Sequence, residues 1–222
     1  MPVLTRIMRG YALAIALTAW SALLLQLPLS IAVSRKQGMT TLGAVVTYLS
    51  FFTILTNLLV AAGLTCFVLI PRSKPGRFFS RTSVLSGMAL FIAMVGAVYS
   101  LVLRYTWNPE GLQKIVDIAL HDVVPVAYLV FWVLFAPKVR LPYSTIGLWL
   151  LYPLLYLCYS LLRGALTGWY PYPFLAANVI GYNRVLQNVA ILVVAFSGLG
   201  YLMAAITRML SRTPLNPNTS VT

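Results

Sequence analysis

The chain has 222 residues, of which 60% are hydrophobic and only 9% are charged. An average soluble domain carries charge on about a quarter of its residues, so this composition excludes an ordinary soluble protein. The net charge of +13 does not indicate nucleic-acid binding, because the Lys and Arg residues flank long apolar runs, as membrane topology signals do. These runs lack the alternating polarity of membrane β-strands and predict an all-α polytopic bundle.

Six apolar runs have the length of about 20 residues that a helix needs to cross a bilayer. They predict one transmembrane domain over residues 1–212, followed by a disordered cytoplasmic tail over 213–222. The segment 164–183, rich in aromatic residues and proline, is predicted to form an interfacial belt or a re-entrant lid. The predicted spans are 10–33, 44–70, 82–104, 114–136, 145–163 and 184–208.

The distribution of Lys and Arg predicts the orientation. The N-terminus, the second and fourth loops and the tail together hold ten of the 16 basic residues, and the opposite side holds the other six. Because positive charge favours the cytoplasmic side, both termini are predicted to be cytoplasmic. The spans are expected to lie in contact with membrane lipids.

The polar residues collect near the predicted outer side. All three acids and the only histidine lie between positions 110 and 122. If the spans begin as predicted, Thr53 lies about 13 Å and His121 about 10 Å inside parallel helices. Ionisable groups within membrane helices usually mark function, so Thr53 and His121 are candidate site residues.

His121 has two informative neighbours. Asp117 lies one helical turn earlier and is predicted to orient the imidazole. Pro125, four residues later, lacks the amide hydrogen that would bond the carbonyl of His121, which predicts a kink there. A histidine capping an interfacial helix, beside an ordinary proline kink, is the structural alternative.

Thr53 has a structural alternative as well, because threonine hydroxyls in membrane helices often bond the carbonyl of the preceding turn. Thr56 is an alternative nucleophile. Asn57, or an arginine at the outer rim, is a candidate oxyanion donor. Arg104 and Arg163 are candidates to bind a lipid carboxylate or phosphate, or are snorkelling anchors at the interface.

Four segments carry a resemblance to a known family. Residues 51–60, 120–126, 149–153 and above all 163–174 (RGALTGWYPYPF) resemble bacterial six-helix membrane proteins related to the androgen-induced protein and androgen-dependent TFPI-regulating protein family. Animal members are intramembrane threonine hydrolases of fatty acid esters of hydroxy fatty acids. The resemblance implies that Thr53 is the nucleophile, that His121 is the base, and that the substrate is a lipid or fatty ester.

Other classes fit less well. A rhomboid-type protease needs Gly-x-Ser-Gly, and Ser86-Gly87 and Ser197-Gly198 lack the earlier glycine. Haem ligation by paired histidines needs a second histidine, and a metal hydrolase needs about three protein ligands, so neither a cofactor nor a metal is expected. A non-enzymatic transporter, channel or lipid-binding protein, which needs no contact between the threonine and the histidine, is the remaining alternative.

Overall fold

The computed structural model describes residues 2–106 and 108–211. Within these residues it has six helices long and apolar enough to span a membrane, which defines an all-α polytopic integral membrane protein. The predicted tail 213–222 lies outside the described residues. The six spans are Val3–Lys36, Phe52–Leu69, Thr82–Leu103, Gly111–Phe135, Ser144–Thr167 and Tyr182–Met209.

Ten α-helices build the described part of the chain. They are α1 (Pro2–Lys36), α2 (Thr41–Tyr48), α3 (Phe52–Leu69), α4 (Lys74–Phe79), α5 (Thr82–Val98), α6 (Gly111–Ile118), α7 (Val124–Phe135), α8 (Ser144–Thr167), α9 (Ala177–Ile180) and α10 (Tyr182–Met209). Two π-helical segments, Tyr99–Leu103 and Ala119–Val123, extend α5 and join α6 to α7, and a 3-10 turn covers Pro173–Leu175.

Helix α5 lies at the centre of the bundle and packs against α3, α7, α8 and α10. Two indole N–H groups reach it: Trp132 Nε1 donates to Ser86 Oγ at 2.9 Å, and Trp149 Nε1 donates to the carbonyl of Ser83 at 2.9 Å. A methyl group on Gly87 would lie 2.8 Å from the Trp149 ring. The glycine therefore lets α8 pack closely against α5, as small residues do in membrane bundles.

The second span, predicted as one helix over 44–70, is divided in the structure. α2 ends at Tyr48 and α3 begins at Phe52, while the backbone of Phe51 between them is extended (φ −87°, ψ 129°). Thr53 is therefore the second residue of a helix, and does not lie nine residues inside one. The other five spans begin and end within four residues of the predicted positions, except that the first span begins at Val3 and was predicted to begin at residue 10.

Contacts from α8 stabilise this break. The hydroxyl of Ser50 donates to the carbonyl of Val46 at 2.6 Å and lies 2.7 Å from Tyr159 Oη. The carbonyl of Ser50 accepts a hydrogen bond of 3.0 Å from Tyr156 Oη. Backbone groups that a continuous helix would use are thus paired with side chains, and the chain is free to turn before α3.

The second π-helical segment, Ala119–Val123, ends two residues before Pro125. Proline has no amide hydrogen, and this favours an irregular turn here. A methyl group on Gly96 of α5 would lie 3.2 Å from Pro125 Cβ and 3.3 Å from the carbonyl oxygen of His121. The glycine lets α5 pack closely against the irregular turn that carries His121.

Because six spans return the chain to its starting side, residues 2 and 211 lie on one side of the bundle, and their cytoplasmic location stays a prediction.

Candidate active site

His121 is held by its own helix and by α5. Its Nδ1 lies 3.0 Å from the carbonyl oxygen of Asp117 and 3.2 Å from Asp117 Oδ1, so the predicted pairing is present. A carbonyl oxygen only accepts, so Nδ1 carries the hydrogen and Nε2 of the neutral ring has the free lone pair. The ring stacks on Tyr99, with centroids 4.0 Å apart and planes 16° apart.

Further contacts fix Asp117 and close the cluster. Tyr99 Oη donates a short hydrogen bond to Asp117 Oδ2, so both carboxylate oxygens have a partner. Arg104 forms an ion pair with Asp122 and lies over the Tyr99 ring, 4.9 Å from its centroid. We call these five residues, Tyr99, Arg104, Asp117, His121 and Asp122, the π-segment cluster. Four of them lie in or next to the two π-helical segments, which often occur at functional sites.

Asn57 connects the cluster to α3. This fully buried residue donates from Nδ2 to the carbonyl of Thr53 at 2.9 Å and to the carbonyl of Leu120, the neighbour of His121, at 3.2 Å. An amide NH₂ group has two hydrogens, and both are used. Asn57 therefore holds the segments of Thr53 and His121 together, and in this structure neither amide hydrogen is free for an oxyanion. Its role as an oxyanion donor stays a prediction.

Thr53 lies in the first turn of α3, where backbone N–H groups have no partner within the helix. The N-cap residue, Phe51, has no side-chain acceptor for these groups. The nearest polar group is the phenol of Tyr172, whose oxygen lies 3.4 Å from the Thr53 amide nitrogen and 3.5 Å from Oγ1. A helix N-terminus favours negative charge, so the position suits an alkoxide or an oxyanion.

Thr56 is placed differently. It is completely buried, and its hydroxyl lies 3.2 Å from Tyr152 Oη on α8. One turn further into α3, Thr56 has no free helix end beside it. Of the two candidate nucleophiles, the geometry favours Thr53.

No hydrogen bond joins Thr53 to His121 in the part of the chain that the structure describes. Asn57 bonds to both of their segments, but the Thr53 hydroxyl lies against Tyr172 while the His121 imidazole stacks on Tyr99. The direct nucleophile–base contact expected of an enzyme is thus absent from this structure. Catalytic hydrogen bonds often form only when substrate binds.

The loop after α8 covers Thr53. We call residues 168–175 the aromatic loop. Tyr172 is buried and stacks on Phe174, with centroids 5.1 Å apart. Asn178 closes the loop by donating to the carbonyl of Gly168 at 3.1 Å, and Asn188 of α10 donates to the carbonyl of Phe174 at 2.8 Å. The segment predicted as a belt or lid is therefore a folded cover. Burial raises the pKa of the Tyr172 phenol, which keeps it a hydrogen-bond donor at neutral pH.

An apolar cavity of about 80 Å³ opens between α8 and α10 beneath the aromatic loop. Its lining includes the rings of Phe52, Tyr172 and Phe174. Phe52 directly precedes Thr53, and Tyr172 contacts it, so two neighbours of Thr53 line the cavity, although Thr53 itself does not. Its other lining residues are Leu150, Pro153, Leu154, Tyr156, Leu157, Leu175, Val189, Leu192, Val193 and Phe196.

The two candidate anion-binding arginines differ. Arg104 is exposed and neutralised by Asp122. Arg163, on α8, is half-buried; its Nη2 donates to Thr47 Oγ1 at 3.1 Å, and its guanidinium lies 4.2 Å from the centroid of the Trp169 ring. Sequence reasoning missed three aromatic residues of the site: Tyr99, Trp169 and Tyr172. The density of aromatic residues at 169–174 was the signal for the last two, whereas Tyr99 lies within an ordinary apolar span.

Among the described residues, no group of three His, Cys, Asp or Glu side chains is arranged to hold a metal ion. Comparisons with protein-family models, with curated proteins and with solved structures found no match for this chain. Fold and site together define an integral membrane protein with a polar cluster beside a covered helix end.

Proposed function

We propose that this protein is a membrane-embedded hydrolase of lipid esters, in which Thr53 is the nucleophile and His121 is the general base. The observation that carries the proposal is the position of Thr53: its hydroxyl lies in the first turn of α3, at a helix end that Asn57 ties to the segment of a His–Asp pair. Membership in the androgen-induced protein family and a location in a bacterial inner membrane are part of the proposal.

In the first half of the reaction, Thr53 Oγ1 attacks the carbonyl carbon of the ester and its proton passes to Nε2 of His121. Because no hydrogen bond joins the two side chains in the structure, this transfer requires a bridging water or a rotation of the Thr53 side chain. Asp117 holds the ring with Nδ1 protonated and stabilises the imidazolium that forms.

The tetrahedral intermediate carries a negative oxygen beside the first turn of α3. In the structure the Thr53 N–H donates to the Tyr172 oxygen; when the intermediate forms, this N–H and the Tyr172 hydroxyl turn to the negative oxygen and are its donors. The intermediate collapses, the bond to the alcohol oxygen breaks, and the alcohol leaves with the proton from His121. Water then attacks the acyl-threonine with His121 again as base, which releases the fatty acid and restores the Thr53 hydroxyl.

The proposed substrate class is a lipid or fatty ester. The cavity lined by Phe52 and Tyr172, the neighbours of Thr53, has an almost entirely apolar lining, which favours an acyl chain because burying apolar surface is favourable. The resemblance points the same way, to fatty acid esters of hydroxy fatty acids or similar lipids.

A non-enzymatic lipid-binding protein or transporter is the second candidate. The observation that favours it is the absence of a hydrogen bond between Thr53 and His121 within the described residues. Such a protein would use the apolar cavity and the polar groups around it to bind a lipid without cleaving it.

Ester hydrolysis by the purified protein separates the two candidates. With p-nitrophenyl decanoate as substrate, Thr53→Ala and His121→Ala are expected to lower kcat by about 10²-fold or more. Thr53→Ser keeps a hydroxyl and should retain activity, while Thr56→Ala serves as the matched control. Full activity in Thr53→Ala would refute the assignment of the nucleophile. Lack of turnover by folded wild type across esters of different chain length would favour the lipid-binding candidate.

A further inference from the structure

Arg163 has no anionic partner within the described residues. The protein has only three acids; Asp117 and Asp122 are paired with His121 and Arg104, and Glu110 is exposed at the start of α6. Nη1 of Arg163 is buried and makes no hydrogen bond to any described residue. A buried donor without a hydrogen-bond partner is costly, so the geometry favours an anion from outside the described chain.

The surroundings of Arg163 differ from those of a snorkelling anchor. A snorkelling arginine keeps its guanidinium in water, whereas here one face lies against the Trp169 ring and Nη2 is bonded to the buried hydroxyl of Thr47. These two contacts fix the plane of the guanidinium and leave Nη1 as the free donor. A planar guanidinium with a free donor suits a carboxylate or phosphate oxygen.

The aromatic loop builds this environment. A Cβ on Gly164 would lie 2.0 Å from the Tyr170 ring, so only glycine lets the loop fold back onto α8 beside Arg163. Gly168 then turns the chain with a left-handed conformation (φ +72°), which places Trp169 over the guanidinium. The loop that covers Thr53 thus also covers Arg163.

Phe51 lies between the surroundings of Arg163 and those of Thr53. Phe51 contacts the Trp169 ring edge-on at 5.7 Å and the Tyr172 ring at 5.8 Å. Trp169 covers Arg163, while Tyr172 contacts Thr53. Arg163 therefore lies at the edge of the site and is next to the apolar surface of the same loop.

We propose that Arg163, Thr47 and Trp169 bind the anionic head of a membrane amphiphile, through a carboxylate or phosphate oxygen on Nη1. The site needs no acyl-enzyme chemistry, and it exists whether or not Thr53 is a nucleophile. An amphiphile is favoured over a free ion for two reasons. Arg163 lies near the end of the span Ser144–Thr167, and its guanidinium lies against the aromatic ring of Trp169.

The wild-type protein alone supplies the first test. The full chain is purified in a neutral detergent, and binding is measured by displacement of tritiated oleate. Unlabelled oleate and monododecyl phosphate should compete, and oleyl alcohol should compete about tenfold less well or worse, because it lacks the charge-assisted hydrogen bond. Equal competition by the alcohol, or no saturable binding of oleate and dodecyl phosphate, would overturn the proposal.

Acetate and inorganic phosphate distinguish the source of the anion. Competition by these ions at the same concentrations as their alkylated forms would identify the ligand as a free ion and would overturn the amphiphile assignment. Competition only at far higher concentrations supports it.

Variants then locate the site. Arg163→Gln should weaken oleate binding by about tenfold or more and leave oleyl alcohol binding unchanged. Arg184→Gln, which changes an exposed arginine at the start of α10, is the matched control and should bind oleate like wild type. Unchanged oleate binding in folded Arg163→Gln would refute the assignment. If Arg163→Gln does not fold, the comparison of head groups in wild type decides the proposal.

Thr53→Ala separates this inference from the proposed hydrolase. It should bind oleate like wild type, because Arg163 and Trp169 do not contact Thr53. Retained binding in an inactive Thr53→Ala supports both proposals, and retained binding in a wild type that hydrolyses no ester supports the anion site alone. Loss of oleate binding in folded Thr53→Ala would contradict a separate anion site.

Discussion

The two sides of the candidate site satisfy their polar groups differently. In the π-segment cluster, the charged side chains have partners within the chain: Asp117 has Tyr99 and Nδ1 of His121, and Arg104 has Asp122, so that only Nε2 of His121 stays free. Beneath the aromatic loop, by contrast, polar groups have free bonding capacity.

On that second side, the hydroxyl of Thr53 has one long contact, and Nη1 of Arg163 has no hydrogen-bond partner among the described residues. Internally paired groups position each other, whereas groups with free capacity can bind something else. Under the proposed function, the cluster therefore orients the base and the loop side binds the ligand.

Outside the proposed nucleophile–base pair, Asp117→Asn should have the largest effect on activity. Asparagine has nearly the same shape, but its amide cannot accept from both the Tyr99 hydroxyl and the His121 ring as a carboxylate does. We expect kcat to fall by about 10³- to 10⁴-fold, as for the loss of the orienting acid in a catalytic triad. The rate of ester hydrolysis gives kcat, and circular dichroism verifies the fold. Activity close to wild type would show that Asp117 does not orient the base.

Tyr172→Phe tests the loop side. Removing the phenol hydroxyl should lower kcat by about 10²-fold and leave KM nearly unchanged. Because burial raises the pKa of Tyr172, the phenol stays protonated, and wild type should show no alkaline loss of kcat from this group below about pH 10. An alkaline loss at lower pH that disappears in Tyr172→Phe would contradict its role as a neutral donor.

Gly164→Ala tests whether the loop is a fixed cover. The added methyl would overlap the Tyr170 ring, and we expect a destabilisation of about 1–3 kcal/mol together with weaker oleate binding. Gly147→Ala is the matched control on the same helix, since a Cβ there meets no atom within 4 Å. Thermal unfolding in detergent measures the stability of both variants, and displacement of tritiated oleate measures their binding. Equal melting temperatures for the two variants would mean that the loop adapts freely.

Asp122→Asn should have the smallest effect. The side chains of Arg104 and Asp122 are 45% and 34% exposed, and exposed ion pairs contribute less than about 1 kcal/mol. Stability and kcat should stay close to wild type, in contrast to Asp117→Asn five residues away. A loss of activity as large as that of Asp117→Asn would show that the charge of Asp122 acts on the base directly.

The sequence predicts the bundle well, because apolar runs and turn residues report directly on membrane helices. It also predicts the pairing of Asp117 with His121, since residues four apart share a helical face. Pro125 predicts the irregular turn, because the missing amide hydrogen is a local property.

The parts that depend on distant contacts were not predictable in this way. The break at 49–51 lies inside an apolar run and is stabilised by Tyr156 and Tyr159, more than 100 positions away. Tyr172 reaches Thr53 only because the aromatic loop folds over α3. The contacts of Asn57 were not predictable either, because its two hydrogens are used by carbonyls of two separate segments, a pairing that no local pattern reports.

The most direct test of the central claim is to identify the residue that a fluorophosphonate probe modifies. The purified protein is labelled, digested and mapped by mass spectrometry, with Thr53→Ala, Thr56→Ala and His121→Ala in parallel. We predict a phosphonyl adduct on Thr53 that is lost in Thr53→Ala and His121→Ala and kept in Thr56→Ala. An adduct on Thr56 or on another residue, or equal labelling in Thr53→Ala, would contradict Thr53 as the nucleophile.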